Sequence, residues 1–451
     1  MTNSDTSYSR RSLMQTASGL LAVTALAGCA AGNARTQASV AAPTITGTAK
    51  KGTLKIGLIG CGGRGTGAAV QALRADPDTT LVAMADVFPD RLESSLAGIN
   101  ETMTEDKQDV AKRVQVPASR QFTGFDGFKK VIESDVDVVL LTSYPAFRPE
   151  HLRLAAMAGK HVFAEKPVAV DPVGLRSVLE SAAILRQKGL AGMVGFCWRY
   201  HDAMREGFKQ VLSGGIGDVT SVYTNYLTGT LSKRPRQQGW SDMEFQMRNW
   251  WHHCWIGGDH IVEQSIHSVD RMRWATGDQL PVSVNCLGGR AARSGPEHGD
   301  VYDHFSAVYE YASGMKCFHA ARQIDGCPND NTDYVYGTEG RATIDGWKPK
   351  IELFDRNNKL VWKYEGKPRD MYQCEHNELF ASIRSGNPIN DMDRGAHSTL
   401  TAIMARMSAY TGQTVTWDHM LKSMFDIVPK NLALGSAPAV VVAVPGQTKL
   451  V

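Results

Sequence analysis

After residue 51, short apolar runs alternate with longer stretches of mixed polarity. Leu54 to Ile59, Thr80 to Ala85, Val136 to Thr142 and His161 to Ala164 have the length and β-branched character of buried strands. Helix-like segments such as Pro89 to Ile99 and Pro149 to Ala158 separate them. Strand and helix in alternation predict a doubly wound parallel sheet. Asp171-Pro172 then offers an N-cap followed by proline at the first helical position, so a helix is expected to about Lys188, with Gly189 as its stop. The crossing between two domains is expected there.

From Ala191 the pattern changes. Strand-like runs at Met193 to Phe196, Val219 to Leu227, Val282 to Leu287, His304 to Tyr311, Met315 to Arg322 and Tyr334 to Ile344 are joined by Gly and Asn-Asp turns, with few helices between them. This predicts an open, mainly antiparallel sheet, one face packed on helices and the other free to meet a second subunit. Glu375 to Arg384 and His397 to Tyr410 return to helix, and a Pro- and Val-rich tail follows. The fold class expected is α/β: a parallel-sheet domain over 52–190, then an α+β domain over 191–440 for substrate binding and oligomerisation.

The N-terminus has a different character. Paired arginines at Arg10-Arg11, a mildly apolar stretch from Leu13 to Ala27 and then Leu26-Ala27-Gly28-Cys29 resemble a twin-arginine export signal ending in a lipoprotein box. Residues 1–29 are therefore expected to direct export to the periplasm or cell envelope, with Cys29 lipidated, and 30–51 to form a flexible tether. No other stretch is long and apolar enough to span a bilayer. Beyond Cys29 there are seven cysteines, without C-x-x-C or zinc-ribbon spacing, which suggests buried thiols rather than a disulfide framework. With 49 basic and 46 acidic residues and no basic stripe carrying aromatics, nucleic acid is excluded as an expected partner.

The first strand runs into Gly60-Cys61-Gly62-Gly63-Arg64-Gly65, a G-x-G-x-x-G turn, and Asp86 lies 21 residues past Gly65 at the end of the second strand. Gly60 permits the tight turn, Gly62 lets backbone N–H groups approach a pyrophosphate, and Gly65 lets the next helix pack on the strand. A carboxylate at Asp86 accepts from a ribose 2′-OH and repels a 2′-phosphate. The reading is a Rossmann dinucleotide clamp for NAD, with NADP disfavoured. Gly63 belongs to the same turn. Arg64 and Arg91 either lie against phosphates and adenine or stay solvated.

Three motifs together, G-C-G-G-R-G (60–65), G-K-H-V-F-A-E-K-P (159–167) and G-G-D-H-I-V-E-Q-S-I-H-S-V-D (257–270), resemble the glucose-fructose oxidoreductase, inositol dehydrogenase and rhizopine-catabolism (Gfo/Idh/MocA) family. The resemblance runs from Leu54 to about Trp417. It implies that Lys166 touches nicotinamide ribose and substrate, that Glu165 is a cofactor contact, and that Arg199 and Tyr200 reach substrate or nicotinamide. Ser143, Tyr144 and His151 follow a strand on the nucleotide side and are expected as nicotinamide-side contacts. Trp250 is either an aromatic wall for a sugar ring or core.

Glu263 and His267 are four apart, so one helix would place them on one face, with Asp270 near the same side. The family usually has aspartate where this chain has Glu263. His267 is cast as the general base for a hydroxyl proton, with Glu263 orienting it or holding a sugar hydroxyl. His260, Glu263 and His267, with His252 or His253, are metal-capable residue types, but H-E-x-x-H spacing is absent and no metal is expected.

The expected function is NAD-dependent hydride transfer at a hydroxyl of a sugar, polyol or glycoside, with a tightly held cofactor. Two alternatives stand beside it: a glycoside hydrolase working by transient oxidation and elimination, and a saccharide-binding protein with a structural nucleotide. Family members commonly pair through the open sheet, which implies a dimer or tetramer.

Overall fold

A computed structural model describes residues 40–451. The twin-arginine segment and Cys29 lie outside the described residues. Six parallel strands form the first sheet: β1 (Leu54–Ile59), β2 (Thr79–Asp86), β3 (Gln121–Thr123), β4 (Val138–Leu141), β5 (His161–Ala164) and β6 (Gly192–Val194). Their spatial order is β3-β2-β1-β4-β5-β6, so the order reverses between β1 and β4. Helices cover both faces, which is why β1, β4 and β5 read as nearly unbroken apolar runs rather than alternating ones.

Register aligns the carboxyl ends of these strands. Ile59 pairs with Ala85 and Leu141, Leu141 with Ala164, and Ala164 with Val194. The next residue on each strand is then Gly60, Asp86, Thr142, Glu165 or Gly195, and all five line one cavity. The crevice beyond the strand ends at a switch in strand order is where such sheets bind ligands.

β6 corrects the expected boundary. Residues 193–196 were expected to open the antiparallel sheet, but Gly192–Val194 pairs parallel with β5 and completes the first sheet. The backbone of 389–391 then covers its outer edge: Gly192 donates to Ile389, Asp391 donates back to Gly192, and Val194 donates to the Asp391 carboxylate at 2.8 Å. The tether also needs correction. Thr44 bridges Ile389, and Ile45 and Gly47 donate to Pro388 and Gly386 at 3.0 and 2.9 Å, so the stretch leading into β1 is docked rather than free.

The second sheet has nine strands: β7 (Val219–Thr228), β8 (Ser283–Gly289), β9 (His304–Glu310), β10 (Lys316–Gln323), β11 (Thr332–Gly337), β12 (Gly340–Asp345), β13 (Ile351–Asp355), β14 (Leu360–Lys363) and β15 (Val415–Thr416). The order is β14-β13-β12-β11-β7-β10-β9-β8-β15, antiparallel throughout except where β7 meets β10. Alternation decides its faces. Val222, Cys317, Phe305 and Val284 point inward, against the helices Ile266–Ala275 and Met392–Thr411. Tyr223, Tyr334, Tyr336 and Phe318 point the other way.

Chain ends stitch the halves together. The helix Met371–Ser385 lies along the helix Gly63–Ala75 that follows β1, through Gln373 to the Gln71 carbonyl (3.0 Å) and Arg384 to Asp76 (2.6 Å). The tail after residue 423 has little regular structure but is held at several points. Ile427 N–H donates to Asp171, Met243 N–H to the Gly435 carbonyl, and the Tyr302 hydroxyl to the Ala443 carbonyl. Six of the seven described cysteines are buried, Cys327 being half-buried, and all are free thiols as expected.

Candidate active site

The cavity at the strand ends has a volume of about 500 Å³. One wall is the glycine turn. A Cβ on Gly65 would fall 1.9 Å from the Gly60 carbonyl oxygen, so only glycine lets this helix start so close to β1. Gly60 itself has φ +98° and backs onto Ser143. A Cβ on Gly62 or Gly63 meets nothing within 4 Å, because those α-carbons face open cleft. The backbone is thus bare where a pyrophosphate must come close, at a helix N-terminus that favours anions.

Asp86 closes one end of the cavity. Its carboxylate accepts from the N–H groups of Cys61 (2.7 Å) and Phe88 (2.9 Å), which fixes its orientation beside the turn. Burial raises its pKa against those two bonds. Arg91, Ser143 and Tyr144 line the same cavity. Tyr144 packs edge-on to Trp250 at 5.8 Å, and Trp250 leans on Trp251 at 5.1 Å, so the tryptophan pair is cleft wall rather than core. His151 sits one layer back, in a side recess. It is bonded to Ser143 at 3.0 Å and stacked on Phe128 at 3.9 Å, and burial pushes its pKa down to about 3.

At the other end, β5 delivers Glu165 and Lys166, followed by a cis Lys166–Pro167 bond. Lys166 Nζ donates to the Glu263 carbonyl at 2.7 Å and to its carboxylate at 3.0 Å. His267 lines the cleft beside them, edge-on to Trp198 at 4.3 Å. Burial first, then Lys166 and Arg271, hold its pKa well below the usual imidazole value. The ring is therefore neutral at ordinary pH and able to accept a proton.

Several expected placements differ. Glu263 and His267 do not share a helix: Glu263 ends the short helix His260–Glu263, the chain turns at Gln264-Ser265, and His267 lies in the first turn of the helix Ile266–Ala275. Both still face the cleft, so the turn rather than the four-residue period brings them together. Asp270 points away, into a buried bidentate pair with Arg199 at 2.8 and 2.9 Å. Arg199 also bonds Asp278 and is only 2% exposed, so it holds the core and does not reach substrate. Tyr200 is equally buried, its hydroxyl 3.3 Å from Asp391. The turn Cys197–Tyr200 is a 3-10 helix that presents Cys197 and Trp198 to the cleft and sends the next two side chains inward.

Arg64 is likewise engaged. It reaches Glu165 at 2.5 Å, Glu375 at 2.8 Å and Gln71 at 2.7 Å, and lies over the Tyr372 ring. Burial works against its charge, but Glu165 and Glu375 outweigh it and raise its pKa. It therefore buttresses the floor of the cleft and steadies Glu165, whose other oxygen accepts from the Lys166 N–H. The histidines weighed as metal ligands disperse: His260 packs on Phe305 and His252 against His298. Among the described residues no three metal-ligating side chains gather.

Sequence reasoning missed Arg148, Trp198, Tyr226, Gln264 and Tyr372, all of which line the cavity. Gln264 lies within the 257–270 motif and Trp198 beside the candidate Arg199, and they carry that much signal. Tyr226 and Tyr372 arrive from distant strand and helix and have none in the local sequence.

Residues 54–196 match the model of the Gfo/Idh/MocA oxidoreductase family with its NAD-binding Rossmann fold, and 205–343 match the family's C-terminal domain. Inositol 2-dehydrogenase 3 of Saccharopolyspora erythraea is 26% identical over 264 residues, 58% of this chain and 65% of that protein. The inositol 2-dehydrogenase of Rhizobium meliloti is 24% identical over 73% of this chain and 86% of its own. The 2,7-anhydro-N-acetylneuraminate hydratase of Escherichia coli is 25% identical over 57% and 62%. The matched part thus spans just under two thirds of the first of these relatives. In fold, the chain resembles the aldose-aldose oxidoreductase of Caulobacter crescentus, with TM-score 0.63 and 22% identity over 81% of this chain and 99% of that one. A levoglucosan dehydrogenase solved with NADH and levoglucosan gives TM-score 0.61 and 18% identity over the same shares. The residues that fit NAD, namely the bare glycine turn and the oriented Asp86 carboxylate, lie inside the matched NAD-binding domain, and the chain belongs to the Gfo/Idh/MocA oxidoreductase family.

Proposed function

We propose that this protein is an NAD-dependent oxidoreductase acting on a CH–OH group of a sugar, polyol or glycoside. One observation carries the reading: Lys166, Glu263 and His267 meet the nucleotide cradle and a tryptophan wall in a single cavity. Bound NAD supplies the hydride acceptor. His267, neutral through burial, takes the hydroxyl proton. Glu263 holds Lys166 by two bonds, so the ammonium is positioned to hydrogen-bond a substrate oxygen without swinging free. Trp250 and Trp251 offer flat apolar faces of the kind that cover the C–H side of a sugar ring. Asp86 disfavours a 2′-phosphate, which selects NAD over NADP.

The same proposal includes the finer readings of the chain ends and surface. Residues 1–29 serve as a twin-arginine export signal, Cys29 carries a lipid anchor, and the protein works in the periplasm or cell envelope with its cofactor retained. The outer face of the nine-stranded sheet, with Phe318, Tyr223 and Tyr334 in adjacent register, joins copies into a homo-oligomer.

The test is to purify the protein, release and identify any bound nucleotide, and follow nicotinamide absorbance with myo-inositol, D-glucose and methyl glucosides. Released NAD and a keto product are expected. No nucleotide released and none bound on addition overturns the reading. Free glucose from a methyl glucoside without net NADH replaces it with the hydrolase.

A further inference from the structure

Arg148 is the first residue of the helix Arg148–Met157, follows the 3-10 turn Pro145–Phe147, and is 5% exposed. A helix N-terminus is the wrong end for a cation, since the macrodipole there repels positive charge. Burying a guanidinium is also costly unless its donors are matched. Here they are not. Nη1 donates to the Pro167 carbonyl at 2.5 Å, Nε has no partner, and among the described residues no carboxylate bonds the group. Burial draws its pKa down to about 10, with Glu165 and Glu263 opposing from a distance. The residue lines the same cavity as Lys166, Glu263 and His267, and its Pro167 bond ties it to the segment just after Lys166.

Packing alone gives no reason for this arrangement, and a ligand oxygen does. The diphosphate belongs to the glycine turn on β1, whereas Arg148 is fastened beside the end of β5, where the hydroxyl is to be oxidised. Lys166 is already partly neutralised by Glu263. When His267 takes the hydroxyl proton, the O–H bond breaks and the electron pair stays on oxygen. That oxygen needs a donor with its charge uncommitted.

We infer that Arg148 is a catalytic residue that donates to the reacting substrate oxygen and stabilises the negative charge arising there as the proton leaves. The inference rests on the proposed oxidoreductase reading. It makes the cleft a preorganised oxyanion site with a donor from the start of the helix that follows β4.

Arg148→Ala and Arg148→Lys in the otherwise intact protein test it, using the sugar or inositol that the parent protein turns over fastest. Removing one such donor is expected to lower kcat/KM about 100- to 1000-fold, with NADH affinity, read by nicotinamide fluorescence, within about twofold of the parent. Arg148→Lys should restore part of the loss, and added guanidinium ion should partly rescue Arg148→Ala, which damage to packing would not allow. Unchanged kcat/KM in Arg148→Ala overturns the inference, as does a fall in NADH affinity matching the fall in rate, since the residue would then hold cofactor. Neither outcome touches the oxidoreductase reading, which fails only if the parent protein binds no nucleotide or moves no hydride.

Discussion

Lys166 and Glu263 clasp the two halves of the molecule across the cleft: the ammonium at the end of β5 takes both the backbone carbonyl and the carboxylate of a residue at the end of the helix His260–Glu263. Both side chains are nearly enclosed, at 13% and 12% exposure. One contact therefore holds the cleft lysine to the helix that carries Glu263. Glu263→Gln keeps the carbonyl bond and loses the charge pair. A fall in kcat/KM of about tenfold or more, with a stability loss of only about 1–2 kcal/mol in urea, is expected. Equal activity in the glutamine variant would contradict the clasp.

The two glycines of the turn should respond in opposite ways. In Gly65→Ala the new methyl collides with the Gly60 carbonyl, so the strand and helix must part, and a loss of more than about 2 kcal/mol is expected by denaturant melting. In Gly62→Ala the methyl projects into open cleft, so Tm should hold while NAD affinity drops about tenfold or more. If Gly62→Ala binds NAD as the parent does, the diphosphate lies elsewhere.

Replacing Asp86 should loosen cofactor choice. Asp86→Ser retains a short acceptor for the Cys61 and Phe88 N–H groups but removes the charge that repels a 2′-phosphate. The ratio of NADP to NAD affinity should rise at least about tenfold. Titration of both nucleotides by fluorescence decides it.

Acid should unfold the protein through its buried histidines. Burial holds His161, His252 and His253 neutral down to about pH 4, while in the unfolded chain they take up protons from near 6.5. Between those values the unfolded state binds more protons, so stability is complete above about pH 6.5 and falls as pH drops toward 4. Each such histidine contributes on the order of 1–2 kcal/mol between pH 7 and pH 5. Urea midpoints at the two pH values measure the sum, and a flat profile would be inconsistent with these rings being neutral in the fold. The depressed pKa of His267 also predicts that kcat/KM does not fall through an ordinary imidazole titration near 6.5.

Asp171 gives a more local check. One carboxylate oxygen caps the helix Pro172–Gln187 at the Gly174 N–H, and the other holds the tail at the Ile427 N–H. Asp171→Ala should cost about 1–2 kcal/mol for the cap, and limited proteolysis should cut the tail after residue 423 faster than in the parent. Unaltered cleavage would mean that the tail is held without it.

Local chemistry by itself determined a good part of this protein. Strands β1, β2, β4 and β5 of the parallel sheet were legible because a sheet covered on both faces leaves uninterrupted apolar runs, whereas the three-residue edge strand β3 is too short and too polar to show. The G-x-G-x-x-G turn was legible because only glycine fits where Gly65 meets Gly60. Lys166, Glu263 and His267 stood out from motif alone, and the fold brings all three to the lining of one cavity. What sequence could not decide was where a side chain points once elements pack. Arg199 and Tyr200 sit beside Trp198 in the chain, yet the 3-10 turn sends one to the cleft and the others to Asp270 and Asp391, partners 71 and 191 residues away. Met193 to Phe196 reads as the start of a new sheet because the pairing of Gly192–Val194 with β5 depends on long-range register. Arg148 carried no signal, because nothing in the sequence around an arginine tells whether its charge will be matched. Propensity and steric fit act between neighbours along the chain, whereas the burial and pairing of charge are settled only when distant segments close around them.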